Sequence, residues 1–249
     1  MTLGFKEDRL VIVQRPEASA SKQVPTWSSF SYVRLGWTKI YRNGRWLAVE
    51  VLVSALLNVL RAFETQTHAC FSVLKDHIRI VAGSSQMAME GPEIMSHEVL
   101  ATVAIEEMLC DELLSEPIIS RPTISFSLGG INDLRQRLSK LSEIGNVGLS
   151  VSHVGDLHIS VVTTMLSVTM KSSVRVLNNT ASEGDNIGVT VKMEQLLRVL
   201  SHALYFPISS SIVAIIPNRV LVFSVTIGGI ERDSGETVTF FIPSIECIN

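Results

Sequence analysis

The sequence predicts an α+β fold built from two similar domains, in which helices pack on antiparallel sheet. One observation behind this prediction is a unit of one helix followed by a β-hairpin, which occurs three times along the chain. Another is the composition of the 249 residues, of which 46% are hydrophobic and only 18% are charged, so a substantial core can be buried. Aromatic residues make up just 6%, and a core rich in Val and Ile favours sheet.

The third copy of the helix–hairpin unit has the clearest pattern. Apolar residues at helical spacing predict a helix over 193–204. Extended runs at 211–216 and 220–227 flank a turn at 217–219, and together they predict a hairpin.

The other two copies repeat this order of elements. The predicted segments are helix 131–142, strand 147–153, turn 154–156 and strand 157–164 in the second copy, and helix 51–64, strand 69–74, turn 75–77 and strand 78–82 in the first. The spacing between copies is longer than one unit, so each unit is followed by further strand. This favours a duplicated domain over a tightly stacked solenoid.

Further strands and loops fill the intervals. Strands are predicted at 10–14, 27–35, 47–49, 99–109, 123–128, 166–176 and 237–242, and loops at 15–25, 83–92 and 178–186. Asn43-Gly44 is a strong turn signal between two of these strands.

The domain boundary is predicted at 110–122, a segment with acidic side chains and the prolines Pro117 and Pro122. Proline cannot donate a hydrogen bond to a sheet ladder, so we expect an extended connector on the surface. It would join an N-terminal domain, 1–109, to a C-terminal domain, 123–249.

Net charge, cysteine spacing and the length of apolar runs argue against several classes of protein. The net charge is −3, from 21 basic and 24 acidic residues, which argues against nucleic-acid binding over the whole surface but leaves room for a local basic face. Cys70, Cys110 and Cys247 lie far apart, so neither a disulfide framework nor a zinc site is expected. Charged residues near the start argue against a signal peptide, and no apolar run reaches the length of a membrane span.

No catalytic or cofactor motif is present, including the nucleophile-elbow, phosphate-loop, dinucleotide and zinc-protease patterns. His153, Asp156 and His158 crowd one predicted turn, but no fourth ligand stands out, so we predict no metal site. The expectation is a protein without enzymatic activity and without a cofactor.

Three segments give the chain a resemblance to a known family. They are 189–200, where a strand leads into the last helix; 134–161, where a basic helix leads into a hairpin with Gly155-Asp156-Leu157 at its turn; and the closing Val-Thr-Phe-Phe-Ile-Pro-Ser-Ile of 238–245. Together with the order of elements, these resemble the sliding clamps of the proliferating-cell-nuclear-antigen superfamily. Within it, the likeness is to the Hus-type subunit of the heterotrimeric DNA-damage checkpoint clamp.

The resemblance implies a non-enzymatic subunit of a ring that encircles double-stranded DNA without sequence specificity, with helices on the inner face and sheets outside. Its partners would be two Rad-type clamp subunits, an ATP-driven clamp loader and checkpoint and repair proteins, and its location the nucleus. Paired edge strands, here 99–108 and 166–176, would close the ring. Subunits of this kind have four helices, and the sequence predicts three, so the first helical unit is missing from the prediction.

The resemblance also implies that basic side chains on the helices face DNA phosphates. The candidates are Arg135, Arg137, Lys140, Arg198, Lys192 and Arg61. In the second copy they alternate with Leu134, Leu138 and Leu141, and we expect a basic face opposite an apolar one. An ordinary solvated helix face is the alternative.

The connector implies a second surface, because client peptides bind along it in this superfamily. Leu113, Leu114, Ile118 and Ile119 are the candidates for this client-peptide strip. An equally good interpretation is that they pin the connector to the sheet.

Three other functions stay open. One is a replicative clamp that forms homotrimers, or one of the two Rad-type subunits. Another is an α+β enzyme whose site the sequence does not reveal, which would require a polar pocket. The third is a structural protein-binding module, which would be favoured if Arg135, Arg137 and Lys140 did not share a face.

Overall fold

The computed structural model of the chain describes residues 1–5, 9–15, 24–31, 47–62, 68–73, 77–83, 96–117, 121–162, 166–180, 186–228 and 236–245. Its helices are α1 (Val53–Ala62), α2 (Glu107–Leu114), α3 (Ile131–Ser139) and α4 (Met193–Ala203). Its strands are β1 (Thr2–Phe5), β2 (Arg9–Gln14), β3 (Thr26–Ser31), β4 (Leu47–Glu50), β5 (His68–Val73), β6 (His77–Gly83), β7 (Ser96–Ala101), β8 (Val103–Ala104), β9 (Ile124–Ser127), β10 (Asn146–Val151), β11 (Asp156–Val162), β12 (Ser167–Ser173), β13 (Arg175–Asn179), β14 (Ile187–Lys192), β15 (Ile208–Ile216), β16 (Val220–Ile227) and β17 (Glu236–Pro243).

All three predicted helix–hairpin units are confirmed. They are α1 with β5 and β6, α3 with β10 and β11, and α4 with β15 and β16. Each hairpin is antiparallel, and β15 and β16 stay in register from Ser210 opposite Thr226 to Ile216 opposite Val220. Asn218 supplies the positive φ of 57° that this turn requires, a conformation that asparagine tolerates better than most residues.

The chain divides into two compact units. Unit 1 contains residues 1–14 and 31–115, and unit 2 contains 15–30 and 116–249. The chain therefore enters unit 2 early, returns to unit 1, and passes finally into unit 2 within the predicted connector. The sequence did not predict that residues 15–30 belong to unit 2.

Unit 1 has a core between two antiparallel sheets. One sheet has the order β8-β4-β1-β2 and the other has the order β5-β6-β7. Leu3 on β1 lies opposite Ile12 on one side and Val49 on the other, and it is buried with Ile78 and Ile80 of the second sheet. Ala55, Leu56 and Val59 pack α1 onto this core.

Unit 2 has the larger core. Its four-stranded sheet has the order β12-β11-β10-β14, and a second sheet runs β13-β9-β15-β16-β17-β3. Strands β10 and β11 alternate buried and half-buried residues, as expected where one face of a sheet is covered. Helix α4 buries six side chains on the core: Met193, Gln195, Leu196, Val199, Leu200 and Ala203.

The prediction of an extended connector and of a strand reaching residue 109 was wrong. The segment is divided between β7, which ends at Ala101 and pairs with β6, and β8, which ends at Ala104 and pairs with β4. Helix α2 then begins at Glu107. Cys110 and Leu114, one turn apart, are both buried, so this helix gains a packed side that an extended segment would lack. From Ser115, which is extended, the chain leaves the helix towards Pro117.

The single strand predicted at 166–176 is also wrong. Strand β12 ends at Ser173 and pairs with β11, whereas β13 starts at Arg175 and pairs with β9 in the other sheet. The chain changes sheets at Val174, whose N–H donates to the carbonyl oxygen of Gly155 at 2.8 Å.

The remaining differences concern single elements and segments that the structure does not describe. Strand β1 was not predicted, and the predicted loop at 178–186 begins inside β13. Asn43-Gly44, residues 32–35 and most of the predicted loops at 15–25 and 83–92 lie outside the described residues. Across the described ranges, none of the helices has both the length and the apolar character needed to cross a membrane.

Candidate nucleic-acid interface

The candidate interface is built mainly on α3 and α4, which pack against each other in unit 2. Helix α3 starts after Gly130, whose φ of 64° lies in the left-handed region that glycine adopts without strain. Its apolar side is fixed by Ile131 and Leu138, both buried, with Leu134 partly buried against the same core. The opposite side of α3 is therefore turned to solvent.

Arg137 on α3 and Lys140, the C-cap residue of this helix, are exposed cations. They are three residues apart, which places them about 60° from each other around the helix. Asp133 lies on the same exposed side, one turn before Arg137. Together these three side chains carry a net charge of +1, so this surface is weakly basic.

Arg135 lies on a different side of α3. It is half-buried, and its Nε is buried with no hydrogen-bond partner among the described residues. Five positions separate it from Lys140, or about 140° around the helix. The basic face predicted from Arg135, Arg137 and Lys140 is therefore narrower than expected, and it consists of Arg137 and Lys140.

The remaining predicted cations are dispersed. Arg198 on α4 is half-buried, and its Nη2 donates to Oε1 of Glu194 at 3.1 Å, an i,i+4 ion pair. Lys192 is half-buried at the N-cap of α4. Arg61 is exposed in the last turn of α1, in unit 1. The structure thus brings Arg137, Lys140, Arg198 and Lys192 into one pair of helices and leaves Arg61 in the other unit.

Sequence reasoning missed the two acids that accompany these cations. Asp133 and Glu194 each stand four residues before an arginine, and that spacing is the signal that could have found them. Their presence reduces the positive charge of the helix pair, so the attraction to phosphate rests most on Lys140 and Arg137.

The client-peptide strip is only partly described. Leu114 is 1% exposed and packs against the backbone of Gly4, where it takes the position that a side chain at residue 4 would occupy. Leu113 is half-buried, and Ile118 and Ile119 lie outside the described residues. Leu114 therefore holds α2 to unit 1, and peptide binding by this strip stays a prediction.

His202, near the C-terminal end of α4, has an environment that disfavours its charge. Partial burial and the nearby Arg198 guanidinium both lower the pKa of this imidazole below its usual range. Its ring centroid lies 6.5 Å from that of Tyr205, which is almost fully exposed. His202 is therefore less readily protonated than an ordinary histidine.

No metal centre emerges from the part of the chain that is described. No group of three or more His, Cys, Asp or Glu side chains converges there, and at the turn near His153 the Asp156 N–H instead donates to Oγ of Ser152 at 3.0 Å. A cavity of about 10 Å³, room for one water molecule, lies in the core of unit 2. Its lining is apolar and includes Leu134, Leu200 and Phe223, so it offers no groups for catalysis.

Comparisons with known proteins identify the fold through structure alone. No protein-family model matches the chain, and no curated protein matches it in sequence. Among solved structures, the chain is similar to the Proliferating Cellular Nuclear Antigen of Entamoeba histolytica, with a TM-score of 0.65 and 9% sequence identity. The match covers 98% of this chain and 88% of that one. The chain therefore has the α+β fold of the sliding clamps.

Proposed function

We propose that the protein is a non-enzymatic subunit of a ring-shaped checkpoint clamp, which encircles DNA in the nucleus at sites of damage. In this role it joins two Rad-type subunits, is loaded by an ATP-driven loader, and serves as a platform for checkpoint and repair proteins. The observation that carries the proposal is the clamp fold over nearly the whole chain. The checkpoint assignment rests on the sequence resemblance of 134–161, 189–200 and 238–245 to Hus-type chains.

The described side chains support a loose, sequence-independent contact with DNA. Arg137 and Lys140 are exposed on a helix whose other side is buried, and Arg198 stands on the neighbouring helix. Such side chains can neutralise phosphates without reading bases. A topological ring needs no tighter contact than this.

Ring closure through strand edges is supported by the ends of the sheets. Among the described strands, β12 ends the four-stranded sheet of unit 2, and β7 ends the three-stranded sheet of unit 1. The row of unpaired backbone groups on an end strand is a template for pairing with another chain. We propose that β12 and β7 are the edges that meet neighbouring subunits.

The test is native mass spectrometry of the chain alone and after co-expression with the two Rad-type subunits. A stable one-to-one-to-one complex, together with a lone chain that is monomeric, is the expected result. The absence of any complex with those subunits would contradict the proposal.

A second candidate is a replicative clamp that forms homotrimers, and the similarity to a Proliferating Cellular Nuclear Antigen favours it. The same experiment separates the two. A homotrimer of the lone chain would replace the checkpoint proposal with this one.

Replacing Arg137 and Lys140 together by alanine is expected to weaken binding of the assembled complex to a DNA duplex. Each lost phosphate contact lowers the slope of log K against log salt by about 0.9, so the slope should fall by about 2. Fluorescence anisotropy with a labelled duplex at several salt concentrations measures it.

The matched control removes the same charge elsewhere. Arg121 and Arg175 are exposed and lie outside the helices, so Arg121→Ala with Arg175→Ala should leave the salt slope unchanged. Equal slopes for the two double variants would show that Arg137 and Lys140 do not face DNA.

A further inference from the structure

Helix α1 carries an apolar face that is exposed to solvent. Val53, Leu57 and Leu60 are 40%, 45% and 44% exposed, and Leu52 just before the helix is 74% exposed. Spaced three and four residues apart, Val53, Leu57 and Leu60 form a single stripe along α1. This stripe, the open face of α1, is separate from the side that Ala55, Leu56 and Val59 pack on the core of unit 1.

The second unit contains the same helix in the same register. Val53–Ala62 aligns without a gap to 193–202, as VSALLNVLRA over MEQLLRVLSH. The identical positions are Leu56 with Leu196, Leu57 with Leu197, Val59 with Val199, and Leu60 with Leu200. The surroundings correspond too, since α1 follows β4 and precedes a hairpin as α4 follows β14, and β4 pairs with β1 as β14 pairs with β10.

Equivalent positions differ sharply in burial. Met193 and Leu200 are both 0% exposed, whereas Val53 and Leu60, their counterparts in α1, are exposed. The difference in unit 2 is α3, which packs against α4 and brings Leu134 to the same cavity as Leu200. Among the described elements of unit 1, no helix packs along α1.

Helix α3 immediately precedes β10 in unit 2. Among the described residues of unit 1, no helix takes the corresponding place beside α1. Yet α1 keeps the leucines that such a neighbour would cover, and leaving them in water forgoes the stabilisation that apolar burial provides.

We propose that the open face of α1 binds an amphipathic helix of another polypeptide, which packs there as α3 packs on α4. The stripe of that helix is apolar, with leucine-sized side chains three and four residues apart, because the open face carries no charge. The inference rests on the comparison of α1 with α4 and its neighbour α3, and it does not depend on whether the protein forms a ring.

Helix α3 supplies the probe for the test. A fluorescently labelled peptide of residues 129–144, which contains α3 with Leu134, Leu138 and Leu141, is titrated with the full-length protein and followed by anisotropy. We expect saturable binding, and we expect Leu57→Glu with Leu60→Glu to weaken it at least tenfold.

Two controls locate the binding and guard against misfolding. Leu166 and Leu177 are as exposed as Leu57, at 46% each, so Leu166→Glu with Leu177→Glu adds the same charge elsewhere and should leave binding unchanged. The single change Leu52→Glu alters the most exposed of these side chains, where folding is least affected, and should weaken binding several-fold. Far-UV circular dichroism checks that each variant is folded.

Two results would overturn the proposal. One is a peptide that fails to bind, or that binds the Leu57/Leu60 double variant as well as the wild type. The other is a lone chain that forms a dimer which the same double substitution converts to a monomer. In that case a second copy, rather than a foreign helix, covers α1.

Discussion

Replacing Phe223 by alanine is expected to destabilise unit 2 by about 3–5 kcal/mol, a large part of the stability of an ordinary domain. Phe223 is 1% exposed on β16, and its ring stacks at a tilt of 48° against Phe240 on the neighbouring strand, with centroids 6.4 Å apart. It also borders the small cavity between the helices and the sheets. Removing the ring would enlarge this cavity, and the surrounding sheets are too rigid to move in and fill it.

Urea unfolding followed by circular dichroism measures this effect in the transition of unit 2. Tyr205→Ala is the matched control, because that aromatic ring is 83% exposed and its loss should change stability by about 0.5 kcal/mol or less. A loss under about 1 kcal/mol for Phe223→Ala would mean that the core is packed differently around β16.

The second large effect is expected for Gly155→Ala, with a loss of about 2–4 kcal/mol. Gly155 has a φ of 95°, which L side chains rarely adopt, and an added Cβ would collide with the backbone carbonyl of Val174. That contact belongs to the point where the chain passes from β12 to β13. The substitution therefore strains the turn and also disturbs the contact with Val174, where the chain passes from one sheet to the other.

Gly145→Ala provides the control for this prediction. No heavy atom lies within 4 Å of a Cβ at residue 145, and its φ lies outside the left-handed region. We expect a change within about 0.5 kcal/mol, measured by the same urea titration. Equal stabilities of the two alanine variants would contradict the close approach of Gly155 to Val174.

The hairpins could be predicted from sequence because their signals are local. Leu157, Ile159 and Val161 alternate with polar residues along β11, and the turn at 217–219 contains a residue suited to positive φ. Helix α2 escaped prediction because prolines and acids suggested a linker, although Pro117 stands beyond the end of the helix. The one-turn spacing of Cys110 and Leu114 was the available signal.

The break at Val174 could not be found in this way. The sequence crosses it without a glycine or a proline, and Val174 there contacts Gly155, which lies 19 residues earlier. Long-range contacts of this kind leave no periodic trace in the sequence.

The candidate interface was predicted in part. Residue type alone marked Arg135, Arg137 and Lys140, but helical geometry places Arg135 on another side, with a buried Nε. The angle between Arg135 and Lys140 around the helix could be worked out from the sequence. The burial of the Arg135 Nε could not, because it depends on the residues that pack against α3. Whether the remaining cations touch DNA stays a prediction.

Because residues 15–30 belong to unit 2, part of this unit is synthesised long before the rest. Strand β3 pairs with β17, where Ser29 lies opposite Thr237, a separation of 208 residues. A ribosome adding about 5–20 residues per second needs roughly 10–40 s to produce that distant partner. During this interval β3 lacks β17, so its pairing on that side has to wait for a strand that is synthesised about 200 residues later.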